Sequence, residues 1–122
     1  MGAGLALLAV AAGAFAAHGL RSMIDAQQLN TFETAARYQM YHALALMIVG
    51  LLSLAPQFSH PLLKFAGAAF VVGILLFCGS LYLLALSGIG WLGAVTPIGG
   101  VAFLLGWLTT MMAVLKQPPQ SA

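Results

Sequence analysis

A small set of polar side chains capable of chemistry interrupts otherwise apolar sequence: His18, Tyr38, Gln39, His42, Ser80, Tyr82 and Thr96, with Glu33 just upstream of the second apolar stretch. Two imidazoles on neighbouring helices at similar depth could supply both axial ligands of a haem or relay a proton. Tyr38 and His42 are four residues apart and so share one face of a helix. Hydrolysis would need a nucleophile with an oriented base. Ser80 beside His42 could form that pair, but no recognisable nucleophile motif surrounds it. A metal centre would need a third ligand beyond His18 and His42, and Glu33 is the sole acidic candidate. For every one of these residues the commoner role is a hydrogen bond joining membrane helices, or, for histidine and tyrosine near the interface, an anchor.

The elements that position them follow from composition. The chain has 122 residues, 62% hydrophobic and 5% charged, with a mean hydropathy of +1.04. Soluble domains are roughly 25% charged, so six charged side chains cannot keep this surface dispersed in water, and the expected class is an integral membrane protein. Divided by the roughly 20 residues of one crossing, the length accommodates four helices and leaves no large extramembrane domain. The formal charge of +2 comes from Arg21, Arg37, Lys64 and Lys116 against Asp25 and Glu33. That is too sparse to track a nucleic acid, so no nucleic-acid partner is expected. The lone Cys78, within an apolar run, reads as a small buried hydrophobe.

Hydropathy predicts one all-α membrane domain over residues 1–122, a four-helix bundle with helices at about 2–20, 38–55, 62–86 and 97–115 and a long first connection at 21–37. The runs lack the polar alternation of a membrane β-barrel. Ala14-Phe15-Ala16 has the form of a signal-peptide cleavage site, but no Lys or Arg precedes the apolar core, so the first helix is read as retained. The first connection holds four of the six charges, as the i,i+4 pairs Arg21/Asp25 and Glu33/Arg37, and Asn30-Thr31-Phe32-Glu33 fits a capping box with Asn30 as N-cap, so part of it is expected to be an amphipathic helical turn leading directly into the second crossing. Pro56 and Pro61 bound a tight turn containing His60, read as an exposed turn residue. Thr96-Pro97 fits an N-cap followed by proline at the first helical position, which leaves Trp91 to Val95 at the interface. Ala9, Gly13 and Ala17 form a small-residue ladder on helix one, and Gly99, Ala102 and Gly106 a similar stripe on helix four; both read as packing surfaces. Lys and Arg divide two against two between the faces, and the acidic pairing at the first connection breaks the tie toward cytoplasmic termini.

With those boundaries, the polar residues approach one membrane face, that of the first connection, with His42 roughly 6 Å and Ser80 roughly 9 Å inside their helix ends. Ser53, Thr109 and Thr110 in the other half are expected to bond back to their own helices. The asymmetry suggests a shallow one-sided pocket formed by His18, Glu33, Tyr38, Gln39, His42, Ser80, Tyr82 and Thr96. A pore would need a polar path through the full thickness. The start of helix four, flanked by Gly99 and Gly100, would offer backbone N–H groups to an anionic headgroup or to Glu33.

Four blocks also resemble a known set in the same order: Gly13-Ala14-Phe15-Ala16-Ala17-His18-Gly19-Leu20, Tyr38-Gln39-x-x-His42-Ala43-Leu44-Ala45-Leu46, Leu76-Phe77-Cys78-Gly79-Ser80-Leu81-Tyr82 and Thr96-Pro97-Ile98-Gly99-Gly100. Together they span nearly the whole chain and resemble the small inner-membrane proteins of domain-of-unknown-function family 423, to which the eukaryotic small transmembrane protein 256 is similar. The residues matching that family's motifs are His18, Tyr38, Gln39, His42, Gly79, Ser80, Tyr82, Thr96, Pro97, Gly99 and Gly100. The chain departs before His18, where the motif reads glycine-alanine-histidine, and at Cys78, where serine is usual. The resemblance implies a four-helix inner-membrane protein and no established activity.

The reading that combines these observations is a non-enzymatic binding or accessory protein without cofactor or metal, its pocket taking a lipid headgroup, a small amphiphile or a partner membrane protein. Membrane lipids, a partner membrane protein or a second copy are the expected partners. A small proton-coupled carrier using the histidines and a bis-histidine haem helper are the alternatives.

Overall fold

The computed structural model describes residues 1–58 and 60–116; Ser59 and the Gln117-Pro118-Pro119 tail lie outside them. Helix α1 runs Gly2–His18, α2 Ala26–Leu52, α3 His60–Gly73, α4 Gly79–Ser87 and α5 Thr96–Leu115. A π-helical turn, Ile74–Cys78, joins α3 to α4, so His60–Ser87 forms one 28-residue rod. The result is the expected four-helix arrangement. Short 3₁₀ turns at Leu20–Ser22 and Gly90–Ala94 lead out of α1 and into α5.

The largest departure from expectation is the start of α2, twelve residues earlier than hydropathy suggests. Asp25, and not Asn30, is the N-cap: its carboxylate accepts from the Gln28 backbone N–H at 2.7 Å, while Gln28 Oε1 accepts from the Asp25 N–H at 3.2 Å. Both segments satisfy the capping-box pattern. The earlier one prevails because Leu29 and Phe32 lie on a helical stripe that packs against Ala16, Leu20 and Ala85, and a helix beginning at residue 38 would leave them without a partner. Most of the predicted long loop is therefore the first three turns of a 27-residue helix.

Packing follows repeated three- and four-residue steps, the spacing that keeps a stripe facing a neighbouring helix. The rod and α5 are antiparallel and meet residue for residue in alternation. A Cβ at Gly106 would come within 2.6 Å of the Phe70 ring; one at Gly73 would strike the Phe103 ring, and one at Gly99 the backbone of Phe77. The Phe70 and Phe103 rings thus fill the spaces left by Gly106 and Gly73, and Gly99 lets the two backbones approach. The same register pairs Ser80 with Thr96, and further along the two helices Leu63, Ala66, Thr110 and Ala113 are all buried. The expected stripe on this helix is thereby rotated: Gly99 and Gly106 face the rod, with Phe103 between them, and Ala102 borders an outer apolar groove.

Helices α1 and α2 are also antiparallel. Gly2 abuts Ala43 and Met47, Gln39 reaches Leu5, and Phe15 packs edge-on to Phe32 with ring centroids 6.2 Å apart. Gly2, Ala9 and Ala16 form the buried seam of α1, whereas Gly13 is half-buried and Ala17 exposed. The outside of the bundle is covered by apolar side chains, among them Leu7, Leu51, Leu75, Leu104 and Leu115. The rod and Gly90–Leu115 are long and apolar enough to cross a bilayer, and α1 is a shorter apolar helix. A surface of this kind is stable in lipid and not in water.

Candidate functional site

Moving the start of α2 to Ala26 relocates every site residue on it. His42 lies about 24 Å along the helix from Ala26 at 1.5 Å per residue, deep in the bundle instead of in its first turns. It is buried and its ring lies flat against Phe103, with centroids 3.5 Å apart and planes 8° from parallel. Both nitrogens are engaged: Nδ1 lies 2.7 Å from the Tyr38 carbonyl, and Trp107 Nε1–H donates to Nε2 at 3.1 Å. A carbonyl can only accept and an indole can only donate, so these partners specify the neutral ring with its proton on Nδ1. No ring nitrogen remains for a metal, a haem or a substrate.

The other central polar residues form similar closed ties. Gln39 bridges three helices: its amide N–H donates to the Leu5 carbonyl on α1 at 2.8 Å, and its amide oxygen accepts from the Tyr82 hydroxyl on α4 at 2.8 Å. Ser80 donates to the Phe77 carbonyl at 3.0 Å, so the 2.7 Å contact between Ser80 and Thr96 has Thr96 as donor. Among the described residues no buried side-chain nitrogen or oxygen is left without a partner. In hydrocarbon an unmatched polar group is costly, and here Gln39, His42, Ser80 and Tyr82 are each matched by another helix. Ser53, Thr109 and Thr110 bond back to Val49, Leu105 and Gly106 as expected.

The eight residues expected to line one pocket are consequently dispersed. Gln39 and Tyr82, Ser80 and Thr96, and His42 with Trp107 are three separate interhelical links. Tyr38 is 38% exposed beside Tyr41 and Phe77. His18 ends α1 on the exposed surface, at the end opposite to Gly2, which packs near the level of His42. The two histidines thus sit at different depths and do not form a pair. Thr96 does not cap α5: Val95 precedes the helix, and its carbonyl already receives the Ile98 and Gly99 N–H groups at 3.1 and 3.4 Å. The anion site expected there is occupied by the chain's own backbone. His60 begins α3 and is exposed, and Cys78 is buried.

Of the expected set, Gln39 and Tyr82 border a recess of about 230 Å³ beside Leu5 and Cys78, and Glu33 borders a larger one. Ala9 and Gly13 of α1 and Glu33, Ala36, Arg37 and Met40 of α2 enclose a groove of about 400 Å³. Its floor is small side chains; Gly13 has open space where a Cβ would stand. Glu33 and Arg37 bring opposite charges into it one helical turn apart, and Arg37 Nη2 donates to Thr34 Oγ1 at 3.1 Å, which holds the guanidinium against α2. Three residues in this groove were not anticipated as a site: Arg37, Ala36 and Met40. The signals were present as the Glu33/Arg37 spacing and the Ala9/Gly13 ladder, but assigning residues 21–37 to a loop kept the two apart.

Comparison with known proteins agrees with this architecture. The family model described as "Protein of unknown function (DUF423)" matches residues 12–100. The chain is 45% identical over 116 residues to a UPF0382 membrane protein of Staphylococcus epidermidis, covering 95% of this chain and 93% of that one. It is 45% identical over 117 residues to the UPF0382 membrane protein YwdK of Bacillus subtilis, covering 95% and 94%. A UPF0382 membrane protein of Staphylococcus aureus is 46% identical over 116 residues, covering 95% and 93%. No solved structure matches. The chain is a membrane protein and belongs to the DUF423 family, whose function is unknown.

Proposed function

We propose that this is a non-enzymatic, multi-pass protein of the cytoplasmic (inner) membrane that binds an amphiphile in the groove between α1 and α2, with both termini on the cytoplasmic side. The supporting observation is the groove itself: the described recess that combines an oppositely charged pair, Glu33 and Arg37, with an apolar floor. Charged side chains beside a membrane helix are costly and mark binding or transport paths more often than packing. The central polar residues favour binding over catalysis, because each of Gln39, His42, Ser80 and Tyr82 already has a partner within the bundle.

The test is to purify the protein in mild detergent and analyse what it retains by native mass spectrometry, alongside Gly13→Leu. Leucine at this position meets no neighbour within 4 Å at Cβ and extends into the groove. The expected outcome is a bound amphiphile on the parent protein and its loss from a variant of equal stability. Equal retention by both would place binding elsewhere.

A further inference from the structure

We infer that the α1–α2 groove takes a zwitterionic phospholipid whose headgroup ends in a primary ammonium, with the phosphate at Arg37 and the ammonium at Glu33. This rests on the reading of the groove as an amphiphile site and adds the headgroup and its direction. The direction comes from the order of charges along α2. Glu33 lies nearer the helix start, the end that carries Asp25, Gln27, Gln28, Asn30 and Thr31; Arg37 lies ~6 Å further into the bundle. Met40 and Ala9 continue the groove beyond Arg37 into the apolar region. From hydrocarbon outward the groove therefore reads apolar, positive, negative. A phospholipid reads acyl chain, phosphate, then ammonium, so its charges fall opposite their complements in one orientation only.

The donor and acceptor chemistry narrows the class. Guanidinium offers several N–H donors in a planar fork suited to phosphate. One donor goes to Thr34, and the remainder can meet the ligand. At the outer end a carboxylate binds an ammonium by accepting its N–H groups. A choline headgroup has no N–H and is recognised by aromatic faces, whereas Ala9, Gly13, Glu33, Ala36, Arg37 and Met40 include no aromatic ring. A glycerol headgroup with net negative charge would set no cation against Glu33.

The experiment is competition for the detergent-solubilised protein among phosphatidylethanolamine, phosphatidylcholine and phosphatidylglycerol of identical acyl chains, read by native mass spectrometry. Phosphatidylethanolamine should be retained about tenfold over either competitor, the scale of one charge-assisted hydrogen bond. The double variant Glu33→Arg with Arg37→Glu keeps both charges but reverses their order. It should lose about tenfold in phosphatidylethanolamine retention while its lipid-free melting temperature stays that of the parent. Equal retention of the three lipids, a preference for phosphatidylglycerol, or an unchanged preference in the reversed variant overturns the headgroup inference. If Gly13→Leu still displaces the lipid in those cases, the groove reading survives. Parent protein that retains no lipid, or forms a dimer that Gly13→Leu dissolves, overturns both, the latter by showing that a second copy fills the groove.

Discussion

The two antiparallel helix pairs of this bundle differ in what stands opposite their glycines. Between the rod and α5, Gly73 and Gly106 each face a phenylalanine ring that occupies the missing side chain's place, and Gly99 lies directly against the Phe77 backbone, which yields a closely packed seam. Between α1 and α2, Gly2 is packed just as closely, against Ala43 and Met47, but Gly13 faces open space, and beside it stand Glu33 and Arg37. Small residues in a membrane helix permit close approach, but they do not compel it. What decides is whether the facing helix supplies a large side chain in register. On the rod it does; on α2, Ala36 lies opposite and a recess persists. Both pairs provide cohesion, and the α1–α2 pair also leaves a recess beside Gly13.

This contrast is broken most severely at Gly99. A methyl group there would lie 2.8 Å from the Phe77 Cα, and backbone cannot swing aside as a side chain can. Gly99→Ala should cost about 3 kcal/mol or more through overpacking, read as a large fall in melting temperature in detergent or as failure to yield monodisperse protein. A variant melting with the parent would mean that α5 and the rod stand further apart than described. Next in size is Gln39→Leu, which severs the link among α1, α2 and α4 and strands the Tyr82 hydroxyl. A loss of about 1–2 kcal/mol is expected. Restoration by adding Tyr82→Phe, which removes the stranded hydroxyl, would identify the desolvated group as the cause.

Much of this was legible in the sequence, though unevenly. Helical class and number follow from apolar runs and sparse charge. The paired stations at Ser80 and Thr96 lay near their expected helix ends, although their bond to each other was not foreseen. The start of α2 was not legible from hydropathy, because residues 26–37 are polar on one side and average out as a loop. Only the stripe of Leu29, Phe32 and Ala36 reveals the helix, and its burial depends on Ala16 and Leu20 of another element. That one boundary carried the site with it: shifting it moved His42 from the interface to the interior and brought Glu33 and Arg37 alongside α1. Nor could the Phe–Gly alternation be read from either helix alone, since a glycine gives no indication of what faces it.

A smaller effect separates the two kinds of polar tie. Ser80 and Thr96 share one 2.7 Å contact, yet Ser80 also bonds to its own helix at the Phe77 carbonyl. Thr96→Val should therefore leave Ser80 satisfied and cost only about 0.6 kcal/mol, the average for such bonds between membrane helices. A double-mutant cycle with Ser80→Ala measures the coupling directly; a value near that of the Gln39–Tyr82 pair would show that the α4–α5 link is as central as the three-helix bridge.

The smallest stability effect is the most diagnostic. At Gly13 a new Cβ would meet no atom within 4 Å, and the position lies within α1, five residues before its last residue. Leucine is a better helix former than glycine by somewhat under ~1 kcal/mol. Its side chain would cover Ala9 and Ala36 instead of displacing them, so Gly13→Leu should melt within about 0.5 kcal/mol of the parent or slightly above it. Gly13→Leu and Gly99→Ala each enlarge one glycine in the same bundle, and the difference between their melting temperatures measures how unlike the two interfaces are. If both variants collapse alike, α1 packs as tightly as α5 and there is no groove. If both are tolerated, the Phe–Gly seam is looser than the geometry requires. Only a large loss at Gly99 together with none at Gly13 fits a bundle that is closed at the first position and open at the second.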